Sequence, residues 1–324
     1  MGGTFFLECG GPVSERTAME HSQADELLVD QIVRGDPDAW RMLIARFEGR
    51  LLAFARSRLA AHADAEDVVQ EAFVGFLQSL PNYDVSRPLE TYLFAILRYK
   101  ISDLLKKQGA RATITVEDDA ILDDAHFSEH GATETPSARL GADENRRRRA
   151  EILGDALKIL INEFRDNDRF VDLQVIELIF FVGRRNKDIA ALLELDEKQV
   201  AGIKFRAIQR IKAIAESTYL PSAPQEDSKA ITDVSVSEVW RWRRLTCLKR
   251  STLGSFLLGV LEDHWLGYTQ FHLDVVSCPI CLANLADLRA EAEDEPPHDR
   301  EERLFQSSVG FLSRAPESQP PPMP

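Results

Sequence analysis

Apolar residues recur at a helical period along most of the chain. Between Asp64 and Leu80, Val69, Ala72, Phe73, Phe76, Leu77 and Leu80 share one face, and Asp64, Glu66, Asp67, Gln70, Glu71 and Gln78 share the other. That spacing predicts an amphipathic helix with one side for a core and the other for water or a partner. Upstream, Leu27, Leu28, Ile32 and Val33 mark a short helix that Gly35-Asp36-Pro37 stops. Asp36 is placed to cap the next helix, with Pro37 at its first position, and Trp40, Leu43, Ile44, Phe47, Leu51, Leu52, Phe54 and Ala55 form its inner stripe. After the turn at Pro81 to Asp84, a helix carries Leu89, Tyr92, Leu93, Ile96, Leu97, Ile101, Leu104 and Leu105.

Farther along, Ile152 to Ile161 and Val171 to Phe180 predict two more helices. A short helix over Lys187 to Leu193, a turn at Leu195-Asp196 and a helix from Glu197 to about Ile214 then have the layout of a helix-turn-helix. In its second helix Val200, Ile203, Ala207, Ile211 and Ile214 fall on the buried side. Leu253, Phe256, Leu257, Val260 and Leu261 give one more helical face. The fold class read from this is all-α. The expected division is a flexible tail (1–24), a helical bundle (25–111), an acidic linker (112–145), a helix-turn-helix domain (146–218), a second linker (219–236), a small helical module (237–290) and a disordered tail (291–324). At 324 residues, two or three modules are expected.

The net charge of -14 argues at first against nucleic acid, because phosphate contacts need Lys and Arg. Its distribution changes that picture. Acid gathers in Glu117 to Asp124 and Glu291 to Glu302, whereas base gathers in Arg98 to Arg111, Arg146 to Arg149, Arg184 to Lys187 and Lys198 to Lys212. No apolar run approaches the roughly 18 residues of a membrane span. The opening segment lacks the basic and apolar stretches of a signal peptide, so a cytoplasmic protein without membrane contact is expected.

Three stretches carry candidate chemistry. Arg98, Lys100, Lys106 and Lys107 are interleaved with Tyr83, Tyr92, Phe94 and Tyr99, a combination suited to single-stranded nucleic acid, in which cations track phosphates and rings stack on bases. The other reading, with Tyr92 and Phe94 in the core and the lysines solvated, is equally open. Lys198, Gln199, Lys204, Arg206 and Arg210 are the residues of the second helix expected to face duplex DNA. Of the four cysteines, Cys9 stands apart, while Cys247, Cys278 and Cys281 lie in the last quarter, which suggests a local site. The pair Cys278-Pro279-Ile280-Cys281 can chelate zinc, with His272 and Cys247 as the best-placed further ligands. It also reads as a redox pair, or as free cysteines in a helical hairpin that needs no metal.

Asp-Ala-Glu-Asp-Val-Val-Gln-Glu-Ala-Phe, residues 64–73, closely resembles the most characteristic segment of bacterial sigma factors of the small extracytoplasmic-function (ECF) group. Leu89 to Arg98 resembles the segment that follows it in sigma region two, with Tyr92 where the family usually has tryptophan and Tyr99 where it has asparagine. Asn186 to Val200 resembles sigma region four, with Ala201 and Ile203 where Lys and Arg are common. The resemblance implies a dissociable RNA polymerase subunit and no catalysis of its own. Asp64, Glu66, Asp67, Gln70 and Glu71 would dock on the clamp helices of the polymerase largest subunit. Tyr83, Tyr92, Arg98, Tyr99, Lys100, Lys106 and Lys107 would open and hold the minus-ten element, and region four would read minus-thirty-five DNA. Cys247, His272, Cys278 and Cys281 are similar in order to the zinc-binding anti-sigma domain, although five residues rather than three separate His272 from Cys278. The module holding them is expected to be an attached regulator that folds back on region two or four, or docks an anti-sigma or other regulatory protein. The alternative function is a helix-turn-helix regulator that acts without stoichiometric polymerase.

Overall fold

Local signals account for how the first helices begin and end. In the computed structural model, which describes residues 13–84, 88–108, 136–219, 235–292 and 298–312, α1 (Val13–Val33) gives way to Gly35, whose φ of 83° suits a residue without a Cβ. Asp36 then caps α2 (Pro37–Arg56). Its Oδ1 accepts the N–H of Asp38 at 2.9 Å and of Ala39 at 3.3 Å, and Pro37 sits in the first turn, where a missing N–H costs nothing. α3 (His62–Ser79) and α4 (Leu89–Lys107) follow.

The chain divides into two units, residues 1–101 with 296–324 and residues 102–295. The first is built around α2 and α3. Trp40 is fully buried, stacked on Phe76 with ring centroids 6.1 Å apart and edge-on to Phe73 at 5.8 Å. Phe54 of α2 meets Phe94 of α4 at 5.1 Å. Among the described residues every regular element is a helix, as the apolar periodicity predicts, and no single helix is long and apolar enough to cross a membrane.

The second unit begins its described part with α5 (Pro136–Asp166), which starts inside the segment read as an acidic linker. α6 (Phe170–Glu177) runs into a π-helical turn at Leu178–Val182 that Gly183 closes with φ 82°. α7 (Asn186–Leu192) and α8 (Glu197–Tyr219) form the helix-turn-helix, and α8 packs on α5, α6 and α7. Then come α9 (Val236–Arg243), α10 (Arg250–Leu257), α11 (Asp263–Gln270) and α12 (Pro279–Ala292).

These four helices belong to the same unit as the helix-turn-helix, so residues 237–290 are not a body apart. α9 lies on α5 and on the π-turn: Arg243 pairs with Asp155, and Arg241 donates to the Phe181 carbonyl at 2.7 and 3.0 Å. Gly154 makes room for this contact, since a Cβ there would stand 2.5 Å from Arg243 Nε. Of the linkers read from sequence, residues 112–135 and 220–234 lie outside the described residues.

The last helix corrects, for residues 298–312, the reading of 291–324 as a disordered tail; residues 293–297 and 313–324 lie outside the described residues. α13 (His298–Leu312) packs on α2 and α3 within the first unit. Its acidic and proline-rich flank masked a short apolar stripe, Leu304, Phe305 and Leu312, all of which are buried. Similarly, α1 starts inside the residues read as a loose N-terminal tail.

Removing the Asp36 cap tests how far local signals hold the first unit. Asp36→Ala should lower its stability by about 1 kcal/mol, read as a shift in the urea midpoint, with the helical circular dichroism of the native chain retained.

Candidate functional site

The polar face of α3 is presented to solvent as its spacing predicts. Asp67, Gln70 and Glu71 are exposed and Asp64 and Glu66 half-exposed, whereas Ala65, Val68, Val69, Ala72 and Phe73 are buried. Glu66 lies 3.4 Å from the His62 ring, and Glu71 meets Lys100 of α4 at 3.4 Å. Glu66, Asp67 and Gln70 line a groove whose other walls are Glu48 and Leu52 of α2 and Arg303 and Leu304 of α13.

The residues read as a single-strand platform divide. Tyr92 is 5 % exposed, its ring packed beside Phe76 and Tyr83, and its hydroxyl donates to the Ser79 carbonyl at 3.5 Å. Phe94 is fully buried. Tyr92 is therefore a core residue in this conformation and offers no ring face for stacking. Tyr83 is half-buried, and burial, followed by the nearby charges of Asp25, Asp84 and Glu26, holds its hydroxyl well above the ordinary tyrosine range. Tyr99 is 55 % exposed, about two turns before the exposed Lys106 and Lys107 on the same helix, and Lys107 pairs with Asp103 one turn back. Arg98 and Lys100 are half-buried.

In the helix-turn-helix, Val200, Ile203, Ala207, Ile211 and Ile214 are buried as their spacing predicts. The turn depends on Glu194, which takes φ 54°, and on the Leu195 N–H reaching the Ala190 carbonyl at 2.9 Å. Two of the five expected DNA-facing residues, both exposed, also make contacts within the protein. Gln199 accepts the Asp196 N–H at 2.8 Å, the return arm of a capping box, and Arg210 forms a two-point ion pair with Glu163 of α5. Lys198 and Arg206 are exposed and Lys204 half-exposed. Phe205, which the sequence reading assigned to neither face, is 63 % exposed on the same helix, between Lys204 and Arg206.

Cys247, His272, Cys278 and Cys281 come together with their ligand atoms all within 4.8 Å of one another. Three local features do this. Arg244 ends α9 in the left-handed region with φ 51°, which turns Cys247 inward. The π-turn at Phe271–Val275 buries His272. Ser277, with φ 51°, then folds the chain back so that the Cys278 N–H reaches the His272 carbonyl at 3.4 Å. The widened helix and the reversed residue absorb the two extra positions between His272 and Cys278.

The distances fit a tetrahedral ion. With zinc–sulfur bonds of ~2.3 Å, the edge of a tetrahedron is about 3.8 Å, and Cys247 Sγ lies 3.7 Å from Cys278 Sγ. His272 Nε2 points to Cys281 Sγ at 3.3 Å, while Nδ1 meets Glu177 Oε1 at 2.8 Å. The second Glu177 oxygen accepts the Tyr268 hydroxyl at 2.9 Å. Nε2 is thus the nitrogen available to a metal, and the carboxylate behind it fixes the ring, the usual support for a metal-bound histidine. Hydrogen bonds from Cys278 and Cys281 pull the Cys247 thiol well below its ordinary range, whereas burial pushes Cys281 up. Burial alone would lower His272, but Glu177, Cys247 and Cys278 together hold it well above the usual imidazole value. The cluster can hold a metal ion. The redox reading gains no support, since the thioredoxin-like strands it wants are absent among the described residues.

Glu177 and Tyr268 were not anticipated from sequence. The signal was present, because Glu177 is the lone acid in the apolar run Val175 to Val182 and so needs buried partners.

Comparison with known proteins agrees with this layout. Residues 43–111 match the family described as Sigma-70 region 2. The chain is similar to the ECF RNA polymerase sigma factor ShbA of Streptomyces griseus, 30% identical over 201 residues, spanning 58% of this chain and 94% of that protein. It is also similar to the RNA polymerase sigma factor CnrH of Cupriavidus metallidurans (28% identical, 61% of this chain, 98% of that protein). A third relative is the ECF RNA polymerase sigma-E factor of Haemophilus influenzae (24% identical, 60% of this chain, 96% of that protein). No solved structure matches.

Glu177 is open to a direct test. Glu177→Leu leaves the Tyr268 hydroxyl and His272 Nδ1 buried without an acceptor, at a cost on the order of 1–3 kcal/mol for each group. Urea unfolding followed by tryptophan emission should show that loss in the second unit, with a smaller one for Glu177→Gln, which keeps one acceptor oxygen.

Proposed function

The chain belongs to the extracytoplasmic-function sigma factors of RNA polymerase, and from that premise we propose how its parts share the work of starting transcription. As a sigma factor it directs core polymerase in transcription initiation. The polymerase docks on the polar face of α3 through Asp64, Glu66, Asp67, Gln70 and Glu71. The reading is carried by one observation: this acidic face stays in water although the rest of the helix is core.

Promoter contacts follow from which cations and rings remain accessible. Tyr99, Lys106 and Lys107, with Arg98 and Lys100 at the edge, hold the opened minus-ten strand. Lys198, Lys204 and Arg206 face the upstream duplex, where they read sequence and neutralise phosphates. The sigma-factor relatives disfavour a regulator that works without polymerase. Charge reversal separates the two. Asp67→Lys with Glu71→Lys should weaken binding to core polymerase at least about tenfold, a loss of ~1.4 kcal/mol, and abolish run-off transcription. Unchanged binding refutes the docking face.

The Cys–His cluster is a structural zinc site in this reading, with Cys247, Cys278, Cys281 and His272 Nε2 as ligands and Glu177 behind the imidazole. Zinc supplies cross-linking there and no reaction. The residues following the helix-turn-helix form a fused regulatory segment, consistent with relatives that match only about three fifths of this chain. Metal analysis should find one zinc per chain, lost in Cys281→Ser. Glu177→Gln should weaken zinc binding roughly 10–100-fold. Affinity should fall as pH falls, because protons compete for the sulfurs and the imidazole.

A further inference from the structure

The outward side of α8 is more apolar than phosphate binding requires. With ~100° between successive residues, Lys198, Ala201 and Phe205 follow one another along the side turned away from the buried stripe of Val200, Ala207 and Ile211. All three are exposed. A single apolar residue in water is ordinary. A phenylalanine in the middle of the surface assigned to duplex DNA, with Lys204 and Arg206 as its neighbours in sequence, is placed where binding would bury its ring.

The polar groups around it are partly committed. Gln199 Oε1 accepts the Asp196 N–H at 2.8 Å, and Arg210 pairs with Glu163 of α5. Gly202 adds no side chain, and Arg206 lays its guanidinium back over that bare backbone, since a Cβ there would stand 3.3 Å from Nη1. What the middle of the face offers to a base edge is therefore the methyl group of Ala201 and the ring of Phe205. The major groove admits an α-helix, and within it thymine alone carries a methyl group, whereas the other three bases show only donors and acceptors.

We propose that Ala201 and Phe205 form a methyl-reading pair, with which α8 recognises thymine in the major groove of its upstream promoter element. Four residues of helix rise ~6 Å and one base step ~3.4 Å. The thymines that the pair touches therefore lie within about two steps of each other. Lys198, Lys204 and Arg206 supply affinity that is indifferent to sequence, and the apolar pair supplies selection. The proposal rests on the duplex-facing role assigned above to those three cations.

The test uses the full chain bound to purified core polymerase. Selection from a randomised upstream duplex should yield thymine at one or two positions within three base pairs. Deoxyuridine pairs as thymidine does but lacks the methyl, and placing it at a selected position should weaken binding about fourfold, the loss expected when one methyl-sized group returns to water. Phe205→Ala, at an exposed position, should keep the helical circular dichroism, bind the thymine duplex less tightly and no longer distinguish deoxyuridine at one of these positions. A selected site without thymine, no deoxyuridine penalty in the unmodified chain, or a penalty undiminished in Phe205→Ala overturns the proposal. Lys198→Ala with Arg206→Ala separates the two readings. If this double variant binds every sequence more weakly and with a shallower salt dependence, the duplex-facing role stands, and a failed deoxyuridine experiment counts against the methyl pair alone. If it binds as the unmodified chain does, with the same salt slope, the duplex-facing role is wrong and the methyl reading falls with it.

Discussion

Short helices are marginal in water, and each one here persists because another element covers its apolar stripe. In the first unit α2 and α3 cover each other through the stack of Trp40 on Phe76. In the second, α5 and α8 do the same, and α9 to α12 are built onto the helices around the helix-turn-helix. The same requirement explains α13. Its stripe is too small to stand alone, so it is helical where α2 and α3 offer a seat.

What was legible in the sequence was what is decided locally. The Asp36–Pro37 helix start, the two faces of α3 and the buried register of α8 each depend on spacing within one segment, and each is found where expected. What was not legible depends on partners far along the chain. Arg210 looks like a phosphate-binding cation until Glu163, 47 residues away, is placed beside it. Tyr92 could have stacked on a base or filled a core, and the packing of Phe76 and Tyr83 chooses the core. Residues 298–312 read as tail because their apolar content is small and their partner lies more than 200 residues upstream.

The Cys–His cluster shows both limits at once. Residue types and order were enough to nominate Cys247, His272, Cys278 and Cys281. The five-residue gap before Cys278 argued against them only under the assumption of a regular α-helical turn. A π-turn and one left-handed serine remove that objection. Neither has a signature in single-sequence periodicity, which assumes one rise and one twist per residue. The supporting carboxylate was harder still to find, because it lies on a helix of the other segment.

That placement limits how freely the pieces of this chain could be exchanged. The imidazole that completes the cluster is oriented by Glu177, and Arg243 needs the bare backbone of Gly154 to reach Asp155. A chimera carrying residues 236–292 behind a different helix-turn-helix would inherit the sulfurs but neither the acid nor the glycine. A substitution at position 177 or 154 in one half of this unit would therefore have to be matched by a change in the other.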